Sequence, residues 1–178
     1  MMFYGPRPNS ELLVHSGFVM DGNPHDYMLL KLGVGKNDPL KPQKETLLSA
    51  LTIPTSGDFS INRAGEPDPQ LNAFIRINAM TAAELQGCMA DPPSCATLGN
   101  PDGVVNEENE TRACLFFETR CKLLLMAYRS TVADDDALLA DPKIAWHKRC
   151  AIQLRRSEKL MLTLAAEKVA LRGLDEEL

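Results

Sequence analysis

The chain has 178 residues, 44% of them hydrophobic but only 6% aromatic, with 19 basic and 24 acidic side chains for a net charge of −5. That is enough apolar material for one packed domain, or one domain and part of another, and it excludes a disordered or collagen-like chain. The acidic balance argues against a general binder of nucleic-acid backbone, and no run approaches the roughly 18 to 20 apolar residues of a membrane-spanning helix.

Phe3-Tyr4-Gly5 reads as the end of a strand entering a turn. The first 36 residues look irregular, because Gly5, Pro6 and Pro8 interrupt any early element. Residues 1–9 carry no apolar core of a secretion signal. Asp21-Gly22-Asn23-Pro24 predicts a turn, and Met28 to Val34 a short strand closed by Gly33 and Gly35. From Lys41 the pattern turns helical: Pro42 suits a first turn, the helix reaches Leu51, and Pro54 ends it. Asp58 to Asn62 predicts a short extended piece.

Pro69 opens another helix with Leu71, Phe74, Ile75 and Asn78 near helical spacing. Thr81 and Glu84 form the pattern of a capping box and start the next helix. Residues 91–106 are loop, rich in Pro, Gly and Asn. A long helix is expected from about Glu107 to Ser130, with Ala113, Phe116, Phe117, Cys121, Leu124 and Tyr128 on its apolar face. Thr131 to Asp134 offers a second capping box, and Asp141-Pro142 reads as an N-cap and first turn of a helix through Leu171 that Gly173 ends. The fold class is mainly α: a multi-helix bundle (residues 37–178) preceded by a short α/β remnant (residues 1–36).

Chemistry-bearing motifs are few. His15, His25 and His147 have no metal-ligand spacing, and neither a phosphate-binding glycine loop nor a nucleophile elbow is present. The five cysteines, Cys88, Cys95, Cys114, Cys121 and Cys150, are odd in number and contain no CxxC, so they read as reduced, mostly buried thiols. Asp134-Asp135-Asp136 reads as a solvated helix start. The basic run His147-Lys148-Arg149 with Arg155, Arg156 and Lys159 reads as a solvent face held by i,i+4 pairs, with a docking patch for an acidic protein as the functional alternative.

The stretch Phe3-Tyr4-Gly5-Pro6-Arg7-Pro8-Asn9-Ser10-Glu11-Leu12-Leu13-Val14-His15-Ser16-Gly17-Phe18 resembles the end of the catalytic domain in SET-type protein methyltransferases related to the Rubisco large-subunit methyltransferase, and within them the branch acting on a histidine of actin. The similarity runs on in order through Lys31-Leu32-Gly33-Val34, Ile53-Pro54-Thr55-Ser56, Ala73-Phe74-Ile75-Arg76, Met80 to Leu85, Thr97-Leu98-Gly99-Asn100, Leu123-Leu124-Leu125 and Ala151 to Arg155. The resemblance implies S-adenosylmethionine as cofactor and actin or another protein as substrate, in the cytoplasm or the nucleus, with a lysine acceptor as the alternative. It matches Tyr4 to the active-site tyrosine of the methyl-transfer channel, Arg7 to an arginine near the peptide groove, and Ser16, Gly17 and Phe18 to a segment closing over the cofactor. From about Asn37 it implies an all-helical substrate-binding domain.

Two departures qualify these expectations. Pro6 stands where the family branch has threonine, and the family's asparagine–histidine cofactor motif lies upstream of the region matched. The chain alone is therefore expected to be inactive, either as part of a methyltransferase or as a stand-alone binding module. Its first 36 residues are expected to lack sheet partners, to be less stable than residues 41–172, and to offer an exposed edge for self-association.

Overall fold

A computed structural model describes residues 5–91 and 95–174. In chain order these form α1 (Asn9–Ser16), β1 (Tyr27–Gly33), α2 (Lys41–Ala50), β2 (Ser56–Asn62), α3 (Pro69–Asn78), α4 (Ala82–Ala90), α5 (Glu107–Ala127), α6 (Val132–Leu139) and α7 (Trp146–Leu174). The mainly helical class stands. The two long helices α5 and α7 pack along one another, and the smaller elements lie against them.

The strand at Tyr27–Gly33 has the partner it was expected to lack. It pairs antiparallel with β2, Tyr27 opposite Asn62 and Gly33 opposite Ser56, and the sheet so formed joins residues 1–36 to the helical part. Period-two burial decides the register: Leu30, Leu32, Phe59 and Ile61 face inward and are buried. The Phe59 ring meets Phe74 of α3 at a centroid distance of 4.9 Å, tilted by 44°. Each such fully buried large apolar side chain contributes on the order of 2 kcal/mol. Gly65, in the turn after β2, has φ +78°, and a Cβ there would stand 2.6 Å from the backbone nitrogen of Ala165. Only glycine lets that turn rest directly on α7.

Helix starts follow their caps. Asp68 accepts from the Leu71 amide at 2.7 Å, and its other oxygen accepts from the Ser60 amide at 2.7 Å, so one carboxylate starts α3 and fastens β2. Both capping boxes form, Thr81 with Glu84 and Thr131 with Asp134. Three local expectations change. Residues 9–16 are helical, because Pro8 ends in an extended conformation that admits a helix and Leu12 is buried. Helix α5 ends at Ala127, and Tyr128 turns extended, placing its hydroxyl 2.8 Å from Glu158. Asp141 spends its carboxylate on the Lys143 amide at 2.8 Å, which makes a turn, and α7 starts later, at Trp146.

The cysteine reading also changes. Cys88 and Cys95 are joined in a disulfide between the last turn of α4 and the following loop, with Cα atoms 5.9 Å apart. Cys114, Cys121 and Cys150 are buried thiols as expected, and burial pushes Cys121 up to about 12.

Loop 95–103 places Cys95 and Leu98 in the core, and a buried ion holds its carbonyls. Arg76 of α3 is 2% exposed. It donates to both carboxylate oxygens of Glu110 at 2.7 and 2.9 Å, and to the carbonyls of Leu98, Asn100 and Pro101 at 2.7, 2.6 and 2.8 Å. A guanidinium satisfied on this many sides is stable where a half-satisfied one is not. Arg76→Met should cost about 3–5 kcal/mol in urea unfolding, and adding Glu110→Met should recover only the part due to the unpaired carboxylate, since the three carbonyls still lack donors. A double-variant cost equal to the sum of the two single costs would show the pair to be uncoupled.

Glu84 supplies a pH dependence. Partial burial disfavours its charge, but the Thr81 amide, Asn106, Arg112 and the Thr81 hydroxyl together bring it from 4.5 to about 2. A depressed folded-state value means stability that is complete above 4.5 and lost as the pH falls toward 2, on the order of 3 kcal/mol. Thermal midpoints measured across that window should fall for the wild type and stay flatter for Glu84→Gln.

Candidate functional site

The residues that the family resemblance singles out lie on the N-terminal segment, and a buried polar cluster determines where that segment sits. Asn9 and Asp26 are 3% and 4% exposed. Asp26 accepts from the Asn9 backbone and side-chain amides, each at 2.8 Å, and from the Ser157 hydroxyl of α7 at 2.8 Å. Asn9 also bonds the Met20 carbonyl and amide at 3.1 and 3.0 Å, and Asn23 donates to the Arg7 carbonyl at 2.8 Å. One carboxylate thus joins both ends of the segment 9–26 to α7, and the net stabilisation comes from leaving no member of the cluster unpaired.

Arg7 has its carbonyl fixed by Asn23 and its side chain exposed. Ser16 is the last residue of α1, half-buried; Gly17 follows in a left-handed conformation, φ +74°, with its amide on the Leu13 carbonyl at 3.1 Å. A Cβ on Gly17 would meet nothing within 4 Å, so in this chain it is the backbone conformation, not a close approach, that calls for glycine. Its carbonyl accepts from the Trp146 indole at 3.4 Å, and Phe18 is half-buried. Arg7 and Ser16 sit at opposite ends of α1, about 12 Å apart along its axis. The structure therefore brings Ser16, Gly17 and Phe18 together and leaves Arg7 apart from them. Tyr4 lies outside the described residues.

Behind this segment is a cleft of about 660 Å3 between the turn after Phe18 and helices α6 and α7, lined by Val19, Met20, Arg63, Gln153, Arg156 and Leu160 among others. Gln153 keeps a buried side-chain oxygen with no hydrogen-bond partner among the described residues. No sequence motif pointed to this cleft; it exists only because α7 and the N-terminal turn are fastened through Asp26.

The acidic and basic runs account for each other. Asp135 is fully buried and pairs with Arg155 and with Lys159, whose Nζ lies 2.6 Å from it. Burial opposes the charge of Asp135, yet the two cations hold it below the usual carboxylate range. Asp136 pairs with Arg156, and Arg149 donates to the carbonyls of Leu139 and Asp141 at 3.0 and 2.8 Å. Arg149, Arg155, Arg156 and Lys159 are thus not a face of i,i+4 pairs: they fasten α6 to α7, with Asp135 and Asp136 as counterparts, while His147 and Lys148 are exposed. Among the described residues there is no cluster of side chains that could hold a metal ion, and no helix is long and apolar enough to cross a membrane.

The resulting object is a helical domain with its N-terminal segment clamped to its longest helix. The family described as Rubisco LSMT substrate-binding matches residues 35–162, and the chain belongs to it. It is 40% identical over 168 residues to the actin-histidine N-methyltransferase of Xenopus tropicalis, covering 92% of this chain and 29% of that protein. To the Mus musculus enzyme of the same name it is 38% identical over 173 residues, covering 95% and 29%. The chain thus spans less than a third of these relatives.

The crystal structure of the SET domain of LSMT bound to lysine and AdoHcy superposes with a TM-score of 0.79 at 19% identity, over 95% of this chain and 39% of that one. The complex with MeLysine and AdoHcy gives 0.81 at 20% identity, over 98% and 40%. At that identity the likeness is one of fold, and it extends to the N-terminal segment that precedes residue 35.

Asp26→Ala should release residues 5–26 from α7 while leaving the α5–α7 core intact. Amide exchange in α1 should accelerate at least about tenfold, with little change in the buried part of α5. Uniform acceleration across both would show the cluster to be global rather than local in effect.

Proposed function

We propose that this chain is the substrate-holding helical part, with the adjoining end of the SET domain, of an S-adenosylmethionine-dependent protein methyltransferase whose acceptor is a histidine of actin. The observation that carries the reading is the 40% identity to an actin-histidine N-methyltransferase along 92% of the chain. The lysine alternative draws on solved neighbours of 19–20% identity, and the histidine reading is favoured on that difference. Residues 1–36 are the SET end and residues 37–178 the substrate-binding domain, working in the cytoplasm, with the nucleus as a second site.

S-adenosylmethionine supplies an electrophilic methyl group on a sulfonium. The protein's share is alignment and exclusion of water, since a neutral imidazole is already nucleophilic. In the whole enzyme Ser16, Gly17 and Phe18 would border the cofactor and Arg7, exposed and apart from them, would meet the protein substrate; the resemblance assigns Tyr4 to the methyl-transfer channel. Rigid α5 and α7 hold a docking surface better than loops would. The 178 residues alone bind actin without transferring methyl.

Titration calorimetry of the chain with monomeric actin should show binding at micromolar strength, and labelled S-adenosylmethionine should leave no methyl on actin. Absence of actin binding would remove the substrate-holding role. Methyl transfer by the chain alone would overturn its inactivity, and the labelled residue would decide between histidine and lysine.

A further inference from the structure

Strand β1 has a second edge, and the hydrogen bonds of its partner show which groups point there. In β2, the Ser60 amide bonds the Asp68 carboxylate at 2.7 Å and the Ser60 carbonyl accepts from the Asp68 amide at 3.0 Å. The Asn62 amide likewise turns outward, to the Glu66 carbonyl at 2.9 Å. Opposed residues of an antiparallel pair face each other or face away together. Leu29 lies opposite Ser60 and Lys31 opposite Asp58, so both turn their N–H and C=O groups away from β2. Arg120 of α5 bears this out, donating to the Lys31 carbonyl at 3.3 Å from the outer side. The sheet has two strands, and among the described residues no third one covers this edge. Leu29 is 56% exposed, and Lys31 is exposed as well.

Along the edge runs a groove of about 400 Å3, walled by Leu124 and Ala127 of α5, by Tyr128 just beyond it and by Leu162 of α7. Its one acidic lining residue, Glu158, accepts from the Tyr128 hydroxyl. Arg120 stands where this groove meets a second concavity on α5 that contains Leu115 and Leu123, 62% and 54% exposed. The Nε of Arg120 is buried without an acceptor among the described residues. A guanidinium in apolar surroundings with an unused donor and a single backbone acceptor is matched by a carboxylate, which can take two of its N–H groups at once. A cation in an edge strand also guards against accidental pairing, and Lys31 and Arg120 do both: they discourage a neutral strand and favour an acidic one.

We propose that the outer edge of β1 is a strand-addition site for an extended segment of the protein substrate, with apolar side chains at alternate positions and a carboxylate that takes Arg120 away from the Lys31 carbonyl. The inference rests on the substrate-holding reading above. Main-chain bonds to Leu29 and Lys31 supply affinity, and the groove and Arg120 select the side chains.

The test follows backbone amides by NMR in the full chain. The probe is an acetylated, amidated hexapeptide of alternating valine and glutamate, with a second version N-methylated on its bonding face. The unmodified peptide should shift the Leu29 and Lys31 signals and slow their exchange at least about tenfold; the N-methylated one should not bind, and Arg120→Gln should weaken binding about tenfold. Unchanged Leu29 and Lys31 signals at millimolar peptide, or equal binding of the N-methylated version, overturn the proposal. Protection of those amides that grows with protein concentration alone identifies a second copy as the occupant and also overturns it. Monomeric actin separates the two readings. Actin binding that leaves both amides unprotected keeps the substrate-holding role and removes the strand site. Peptide binding without actin binding does the reverse for actin.

Discussion

A single guanidinium holds together parts of this molecule that apolar packing cannot. Arg76 lies where α3, α5 and the loop 95–103 meet, and that loop turns three carbonyls toward it. A buried carbonyl without a donor is costly, and Arg76 supplies donors to three of them while Glu110 neutralises its charge. Asn109, beside Glu110, completes the arrangement by donating to the Arg76 carbonyl at 3.1 Å. The direction of α5 against α3 follows from this cluster, and α7 packs on α5 in turn.

A second polar cluster does for the N-terminal segment what the first does for the loop. Asp26 gathers donors from Asn9 and Ser157, residues 17 and 131 positions away. The segment that carries Arg7, Ser16, Gly17 and Phe18 thereby becomes part of the helical body, held to a 29-residue helix by a buried carboxylate. The pairing of Asp135 and Asp136 with Arg155, Lys159 and Arg156 gives α6 and α7 a fixed relation in the same way. Taken alone, each run looked like solvated surface.

The β-sheet illustrates how a local element acquires a different meaning in the fold. Residues 27–33 have the composition of a strand in isolation, and β2 supplies one partner. The Ser60 amide bonds the Asp68 carboxylate and its carbonyl accepts from the Asp68 amide, and this shows which groups of β1 face its open edge. The same aspartate caps α3, so one side chain fastens β2 to the start of that helix.

The sequence by itself determined whatever depends on neighbours a few residues apart. Capping boxes at Thr81 and Thr131, proline at the start of α2 and α3, the turn at Asp21–Pro24 and the long apolar periodicity of α5 are local physics, and each was legible. The ordered resemblance along the chain likewise located Ser16, Gly17 and Phe18 on one stretch. Tertiary structure alone decided what depends on distant groups: the Cys88–Cys95 bond, the burial of Arg76, Asp26 and Asp135, the cleft beside α7 and the free edge of β1. A charged residue reads as surface unless its partner is known, and these partners lie 17 to 131 positions away. That separation is invisible to periodicity, because only folding brings such groups within the 3 Å or so over which a hydrogen bond acts.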